Sequence, residues 1–186
     1  MKSRVFEIIA AEQARQNSTV ELIASENFVS ENAQVNITVM DLPQQLAMLK
    51  DNIDGKTGAE RIHTVAGDLL NPEMVIPGGF DVVWMSQFLD CFSEQQVVSI
   101  LSRVASGLKP GARVYIMETL WDRQKFDTAS FDLAQTSVYF TAMANGNSKM
   151  YYSEDLTRLI EKAGMKVDRI IDGIGQGHNI LICVKE

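Results

Sequence analysis

Phe80–Gln96 reads FDVVWMSQFLDCFSEQQ, and this stretch decides the fold. It begins with an apolar run, Phe80–Met85, which is typical of a strand buried on both faces of a parallel sheet. It ends where a helix should begin, because Ser93 is a favourable N-cap and Gln96 stands at the capping-box position three residues later. A buried strand that leads into a helix predicts an α/β protein.

The chain downstream continues this alternation of strand and helix. A strand is predicted over Arg113–Glu118 (RVYIME), and a helix over Ser153–Ala163 with Ser153 as its N-cap. Met165–Asp172 and Asn179–Val184 read as a closing pair of strands joined by a glycine-rich turn. Because hairpin-linked strands are antiparallel, the sheet should be mixed rather than wholly parallel.

The chain upstream repeats the same unit before it changes character. Val35–Leu42 and Arg61–Ala66 are predicted strands, and the helix between them covers Pro43–Ile53, with Pro43 suited to a first turn. Residues 3–16 are predicted to form an amphipathic helix, since their apolar residues follow helical spacing. Val20–Ala24 is a short apolar run, read as a strand or an extended segment.

Composition excludes several classes of function. The chain has 186 residues, 46% of them hydrophobic, and a net charge of −7, so contact with nucleic acid or with an anionic membrane is disfavoured. It has two cysteines and two histidines, without CxxC or HxxxH spacing, which makes a disulfide framework and a metal site improbable. With no long apolar run at the N-terminus, we expect a cytoplasmic chain without a signal peptide or a spanning helix.

Four strings in a fixed order give the chain a family resemblance. The four strings are ITVMDLP (Ile37–Pro43), AGDLL (Ala66–Leu70), FDVVWMSQFLDCFSEQQ (Phe80–Gln96) and LKPGARVYIMET (Leu108–Thr119). With these strings, the region from Val35 to Glu186 resembles class I S-adenosylmethionine (SAM)-dependent methyltransferases, and within them the small-molecule O-methyltransferases. The resemblance implies a Rossmann-like sandwich, SAM as the cofactor, and methyl transfer to an oxygen of a small-molecule acceptor.

The resemblance also assigns cofactor-binding residues. Ligands of open parallel sheets bind beyond the carboxyl ends of the strands, and Asp41 ends a strand there. In the family this position binds the SAM ribose, whereas the plain alternative is a turn aspartate before a proline. Asp68 matches a residue that accepts from the adenine amino group, with Leu69 packing on the base, although Asp68 also suits an Asx-turn. Met85 and Ser86 match the segment beside the methionine part, and core packing explains Met85 equally well.

The catalytic position departs from the family pattern. Many relatives carry a histidine base just after the fourth strand, and Asp90 stands in its place here. A carboxylate is a poorer base for a phenol unless burial raises its pKa, so Asp90 is a candidate base or a polar residue that caps the following helix. A supporting glutamate of the family is replaced by Met150. Both changes favour an acceptor that depends less on a general base.

The residues before the resemblance lack the family's glycine loop. Residues 1–34 contain no glycine, so the first strand and its cofactor loop are expected to be missing. Val5–Phe28, above all ELIASEN at Glu21–Asn27, resembles the N-terminal arm of serine hydroxymethyltransferase, without that enzyme's pyridoxal lysine motif. We therefore predict a chimera of an arm, 1–34, and a truncated methyltransferase domain, 35–186. Val20–Ala24 could fill the vacant slot in the sheet, or a homodimer could cover it.

Two functions follow from these features. The first is SAM-dependent O-methyl transfer, with an activity weakened by the missing glycines. The second is a methyltransferase-derived domain without catalysis, which acts in binding or assembly. Cofactor binding separates the two.

Overall fold

The computed structural model describes residues 3–8 and 35–185 and folds them as an α/β sandwich. The strands are β1 (Ser3–Ile8), β2 (Val35–Asp41), β3 (Ile62–Ala66), β4 (Val82–Ser86), β5 (Arg113–Glu118), β6 (Met165–Ile174) and β7 (His178–Lys185). The α-helices are α1 (Pro43–Ile53), α2 (Glu94–Gly107), α3 (Asp127–Phe140) and α4 (Ser153–Lys162).

The strands make one mixed sheet in the order β3-β2-β1-β4-β5-β7-β6. Strands β1 to β5 are parallel to one another, and β7 lies antiparallel between β5 and β6. The predicted Rossmann-like class, with a mostly parallel sheet and a closing antiparallel hairpin, is confirmed. Glycines with positive φ angles, Gly173, Gly175 and Gly177, allow the tight connection of that hairpin.

The N-terminal residues contradict two of the predictions. Ser3–Ile8 is the central strand β1, paired with β2 from Ser3 to Ile8 and with β4 from Val5 to Ile8, and not the start of a helix. The expectation that the sheet lacks its first strand is therefore wrong. A short apolar run fits helix and strand periodicity alike, and here the unpaired backbone groups of β2 and β4 decide for the strand. Val20–Ala24 lies outside the described residues.

Helices cover both faces of the sheet. On one face, α1 packs Leu46, Leu49 and Ile53 against Ile37, Val39 and Ile62 of β2 and β3. On the other face, α2 and α4 pack over β4 and β5 around the larger core. Each layer buries the apolar stripe of its helices against the sheet, which is how this architecture forms its core.

The helix ends agree with the sequence in one case and differ in another. The Ser93 hydroxyl accepts from the Gln96 backbone N–H, and the Gln96 side-chain oxygen accepts from the Ser93 backbone N–H. The predicted capping box of α2 is therefore present. Ser153 is the first residue of α4 rather than its N-cap, and its hydroxyl binds the Asp122 carboxylate at 2.5 Å instead. Because the Ser153 hydroxyl donates to a carboxylate of another segment, it does not cap the helix. The remaining helix, α3, lies within residues 122–150. None of the helices described is both long and apolar enough to cross a membrane.

Candidate functional site

The strand order places a crevice at the carboxyl ends of β1 and β4. From β1 the chain adds β2 and then β3 on one side, and afterwards returns to add β4 and β5 on the other side. Such a reversal leaves the two connections on opposite faces, and open α/β sheets bind ligands in the gap between them. Asp41 on β2 and Ser86 on β4 flank β1, so roughly 10 Å separates them at the usual strand spacing.

Asp41 is a buried carboxyl group on the β2 side of this crevice. It ends β2, one residue beyond the pairing of Met40 with Ile8, and it is only 5% exposed. Its Oδ1 accepts a 2.6 Å hydrogen bond from the Leu42 backbone N–H. Burial raises the pKa of Asp41 to about 6, and the bond from Leu42 acts in the opposite direction. A carboxylate held at this cost is a suitable acceptor for the hydroxyl groups of a ligand.

Asp68 and Leu69 lie next to Asp41, as the sequence suggests. The Gly67 N–H donates to the Asp41 backbone carbonyl at 3.1 Å, which joins the loop after β3 to the end of β2. Asp68 is exposed, and its Oδ1 accepts from the Leu70 N–H at 2.8 Å in an Asx-turn. The Leu69 side chain is buried in the larger core. A Cβ at Gly67 would meet the end of the Met74 side chain, which would have to shift to make room for it.

Met85 and Ser86 line the other side of the crevice. Both are buried, and the Met85 side chain belongs to the larger core, so only its backbone faces the strand end. Gln87 follows with a φ of +44°, a strained value for a non-glycine residue, and its N–H donates to the Met117 carbonyl at 2.8 Å. Its amide contacts the Nε2 of His178 at the start of β7. Strain of this kind is commonly retained at binding sites.

Asp90 lies in a short 3-10 turn, Leu89–Cys91, between β4 and α2. It is 8% exposed, and its Oδ1 accepts from the Cys91 thiol at 3.5 Å. Its backbone carbonyl accepts from the Lys149 N–H at 2.8 Å, which ties the turn to the segment before α4. The position of the Asp90 carboxyl group is therefore set by a short side chain on a turn whose backbone is itself hydrogen-bonded.

Glu118, a residue that the sequence analysis did not single out, supports this turn from below. Its Oε1 accepts from the backbone N–H groups of Phe88 at 3.0 Å and Leu89 at 2.7 Å. It is 2% exposed, and burial, reinforced by the nearby Asp90 carboxylate, raises the pKa of Glu118 well above its usual range. The sequence could have pointed to Glu118 through the alternation of β5, because Glu118 shares the buried face of that strand with Val114 and Ile116.

Tyr151 closes the turn from the opposite side. Its ring is almost fully buried, and its hydroxyl donates to the Phe92 carbonyl at 3.2 Å. Burial, together with the carboxylates of Glu118 and Glu94, raises the pKa of Tyr151. The hydroxyl therefore stays protonated and serves as a donor. Glu118 and Tyr151 hold the two ends of one turn, with Asp90 between them.

The crevice accordingly has two halves with different chemistry. The β2–β3 half contains Asp41 and the exposed Asp68, whose carboxyl oxygens can accept hydrogen bonds from a ligand, and the buried Leu69 follows them. The β4–β5 half contains Ser86 and, on the turn that Glu118 supports, Asp90.

One family of known proteins matches most of this chain. Residues 24–166 match the model of the O-methyltransferase domain family. The chain is 28% identical over 132 residues to 3-amino-4-hydroxybenzoate 4-O-methyltransferase of Streptomyces cremeus, which covers 71% of this chain and 34% of that protein.

Solved structures share the fold. The structure of the mitomycin 7-O-methyltransferase MmcR superposes with a TM-score of 0.75 at 21% identity, over 99% of this chain and 49% of that one. PigF with SAH gives a TM-score of 0.76 at 19% identity, over 98% of this chain and 50% of that one. The chain spans about a third of the length of the first protein above and about half of each of these two structures.

Proposed function

Because the chain belongs to the O-methyltransferase domain family, we propose that it catalyses SAM-dependent methyl transfer to an oxygen of a small-molecule acceptor. The observation that carries the proposal is the buried carboxyl group of Asp41 at the end of β2, beside the β1–β4 switch point, together with a second buried carboxyl group, Asp90, four residues beyond the end of β4. One suits a nucleoside, and the other suits proton exchange with an acceptor hydroxyl.

The residues of the β2–β3 half fit the nucleoside part of SAM. Asp41 would accept hydrogen bonds from the ribose hydroxyls, Asp68 would accept from the adenine amino group, and the backbone around Leu69 would support the base. The pKa of Asp41, about 6, leaves it mostly ionised at neutral pH. Met85, through its backbone, and Ser86 would contact the methionine part. When bound, SAM supplies an electrophilic methyl group.

Asp90 would take the hydroxyl proton of the acceptor as the new C–O bond forms. The turn that carries it is held by Glu118, Tyr151 and the Lys149 N–H, so the carboxyl group is positioned without further ordering. The carboxylate of Glu118 lies close enough to disfavour ionisation of both groups together. An aspartate base suits an acidic phenol better than a weakly acidic alcohol.

The lack of glycine in residues 1–34 supports a second candidate, a methyltransferase-derived domain that acts in binding without catalysis. Glycines let the family's loop approach its cofactor closely, and side chains in their place would weaken that approach. The likeness of Val5–Phe28 to serine hydroxymethyltransferase belongs with this candidate, as does a chimeric origin of the chain, in which Ser3–Ile8 of the predicted arm supplies the central strand of the sheet.

Titration with S-adenosylhomocysteine (SAH) in a calorimeter tests the proposal. We expect binding weaker than low micromolar, abolished by Asp41→Ala and unchanged in the matched control Asp51→Ala, an exposed residue of α1. A folded protein that binds no SAH at millimolar concentration would rule out the enzyme and favour the second candidate. A low-micromolar dissociation constant would contradict the inference that the absent glycines weaken the site.

The expected partners follow from charge and exposure. A net charge of −7 makes nucleic acid and anionic membranes unsuitable partners, and two cysteines without a disulfide pattern fit a cytoplasmic location. We expect a homodimer, because α3 and the turn after it expose large apolar side chains within an uncharged stretch, residues 133–148. These side chains are Val138, Tyr139 and Met143, and Phe131 lies two residues before the stretch. Sedimentation analysis of the protein and of Phe131→Glu checks this expectation, and a wild-type monomer at high concentration would contradict it.

A further inference from the structure

Arg103 of α2 reaches out of its helix into the loop between β3 and β4. Its Nη1 donates to the backbone carbonyls of Asn71 at 3.2 Å and Met74 at 3.1 Å, and its Nη2 donates to the carbonyl of Leu69. Its Nε returns to the Ser99 carbonyl of its own helix at 3.2 Å. One planar guanidinium thus satisfies three carbonyl groups of a loop that is remote in sequence.

This loop depends on hydrogen bonds from other segments, because residues 67–81 form neither helix nor strand. Its local bonds, from Leu70 to Asp68 and from Glu73 to Asn71, each close only a single turn. Long loops without such support are usually mobile. Arg103 and the bond from Gly67 to Asp41 instead anchor the loop to α2 and to the end of β2.

The loop that Arg103 holds is the one that carries Asp68 and Leu69. The Leu69 carbonyl is itself a ligand of the guanidinium, so the position of the neighbouring Asp68 follows from that bond. Burial lowers the pKa of Arg103, and the carboxylate of Asp68 acts against this shift, which places the two charges near each other. The guanidinium therefore acts on both the backbone and the charge of the proposed base-binding segment.

We propose that Arg103 is a positioning residue for base recognition, which fixes Asp68 and Leu69 so that the site prefers adenine over a base without the amino group. This inference rests on the proposed function. Lysine should replace arginine poorly, because a single ammonium group cannot match three carbonyls that the planar fork reaches together.

The test compares Arg103→Met and Arg103→Lys with the matched control Arg158→Met, an arginine on the exposed side of α4. Binding of SAH and of S-inosylhomocysteine, which lacks the amino group, is measured by calorimetry for each folded variant. We expect both Arg103 variants to lose about tenfold in SAH affinity, or roughly 1.4 kcal/mol, and to lose the preference for SAH. The control should keep both properties.

Two outcomes would overturn the proposal in distinguishable ways. If the wild-type chain binds no SAH, the proposed function is wrong and this inference falls with it. If the wild-type chain binds and the Arg103 variants keep its affinity and its base preference, the inference alone is wrong. Should Arg103→Met fail to fold, Arg103→Lys, which retains a charge and a long stem, decides between these results. A merely structural role would lower the melting temperature and leave the ratio of the two affinities unchanged.

Discussion

The two halves of the crevice each bury a carboxyl group, but they use it differently. On the β2–β3 side, Asp41 accepts one hydrogen bond from its own neighbour, Leu42. On the β4–β5 side, Glu118 accepts bonds from two backbone N–H groups of another segment. Burial raises the pKa of both groups. Burial alone therefore does not identify a functional acid. A carboxyl group whose oxygens already accept hydrogen bonds from backbone N–H groups stabilises the fold and has less capacity left to bind a ligand.

Within the β4–β5 half, the same reasoning divides two neighbouring carboxyl groups. Glu118 supports the turn, and Asp90 is presented by it. We therefore expect substitutions of Glu118 to act mainly on stability and substitutions of Asp90 or Asp41 to act mainly on function.

The largest effect should come from Glu118→Ala. It leaves the buried N–H groups of Phe88 and Leu89 without an acceptor, at about 1–3 kcal/mol each, so we expect a total loss of about 2–6 kcal/mol. Urea unfolding followed by circular dichroism measures this loss. The matched variant Glu118→Gln keeps an oxygen for both bonds and removes the buried charge, so its stability should equal or exceed that of the wild type.

The pH dependence of this pair sharpens the comparison. Since the pKa of Glu118 is raised in the folded state, its contribution is most favourable at low pH and is lost as the pH rises through that pKa. The advantage of Glu118→Gln over the wild type should therefore grow with pH. Equal losses for Ala and Gln would show that the charge, not the acceptor, supports the turn.

Asp41→Asn should stabilise the protein while it impairs cofactor binding. Because the folded pKa of Asp41 is about 6 rather than the ordinary 3.8, ionisation at pH 8 costs the folded state about 2–3 kcal/mol relative to a neutral side chain. Asparagine keeps an oxygen for the Leu42 N–H and avoids this cost. Thermal unfolding at pH 8 should show the gain, and at pH 4 the two proteins should be nearly equal.

Binding gives the opposite sign for the same residue. SAH affinity of the wild type should fall as the pH drops through about 6, because a protonated Asp41 is a weaker acceptor. Asp41→Asn should bind SAH poorly at every pH. A variant that gains stability and keeps full affinity would show that Asp41 is a structural residue of the turn before Pro43.

The sequence alone predicted the elements that are encoded locally. The capping box of Ser93 and Gln96 and the bounds of Pro43–Ile53 and Arg113–Glu118 agree with the structure, because caps, prolines and alternation act over a few residues. The strand Ser3–Ile8 was predicted as a helix, since its apolar residues fit both periods. Its strand conformation is decided by β2 and β4, which are distant in sequence.

The candidate site divides in the same way. Asp41 and Asp90 could be found from their places after strands, in motifs that resemble a family. Glu118 and Arg103 could not, because their importance lies in bonds to backbone groups about 30 residues away in sequence, such as Glu118 to Leu89 and Arg103 to Leu69. Side chains that bind the backbone of another segment leave no local pattern. Only the buried alternation of β5 pointed to Glu118.

The smallest expected effect is that of Tyr151→Phe, which tests the second support of the Asp90 turn. The change removes one hydrogen bond, from the hydroxyl to the Phe92 carbonyl, and keeps the buried ring. We expect a loss of about 1 kcal/mol in urea unfolding, against no change for the exposed control Tyr139→Phe. If Glu118 is the principal support, the loss must be well below that of Glu118→Ala. A loss of equal size would mean that Tyr151 supports the Asp90 turn as strongly as Glu118 does.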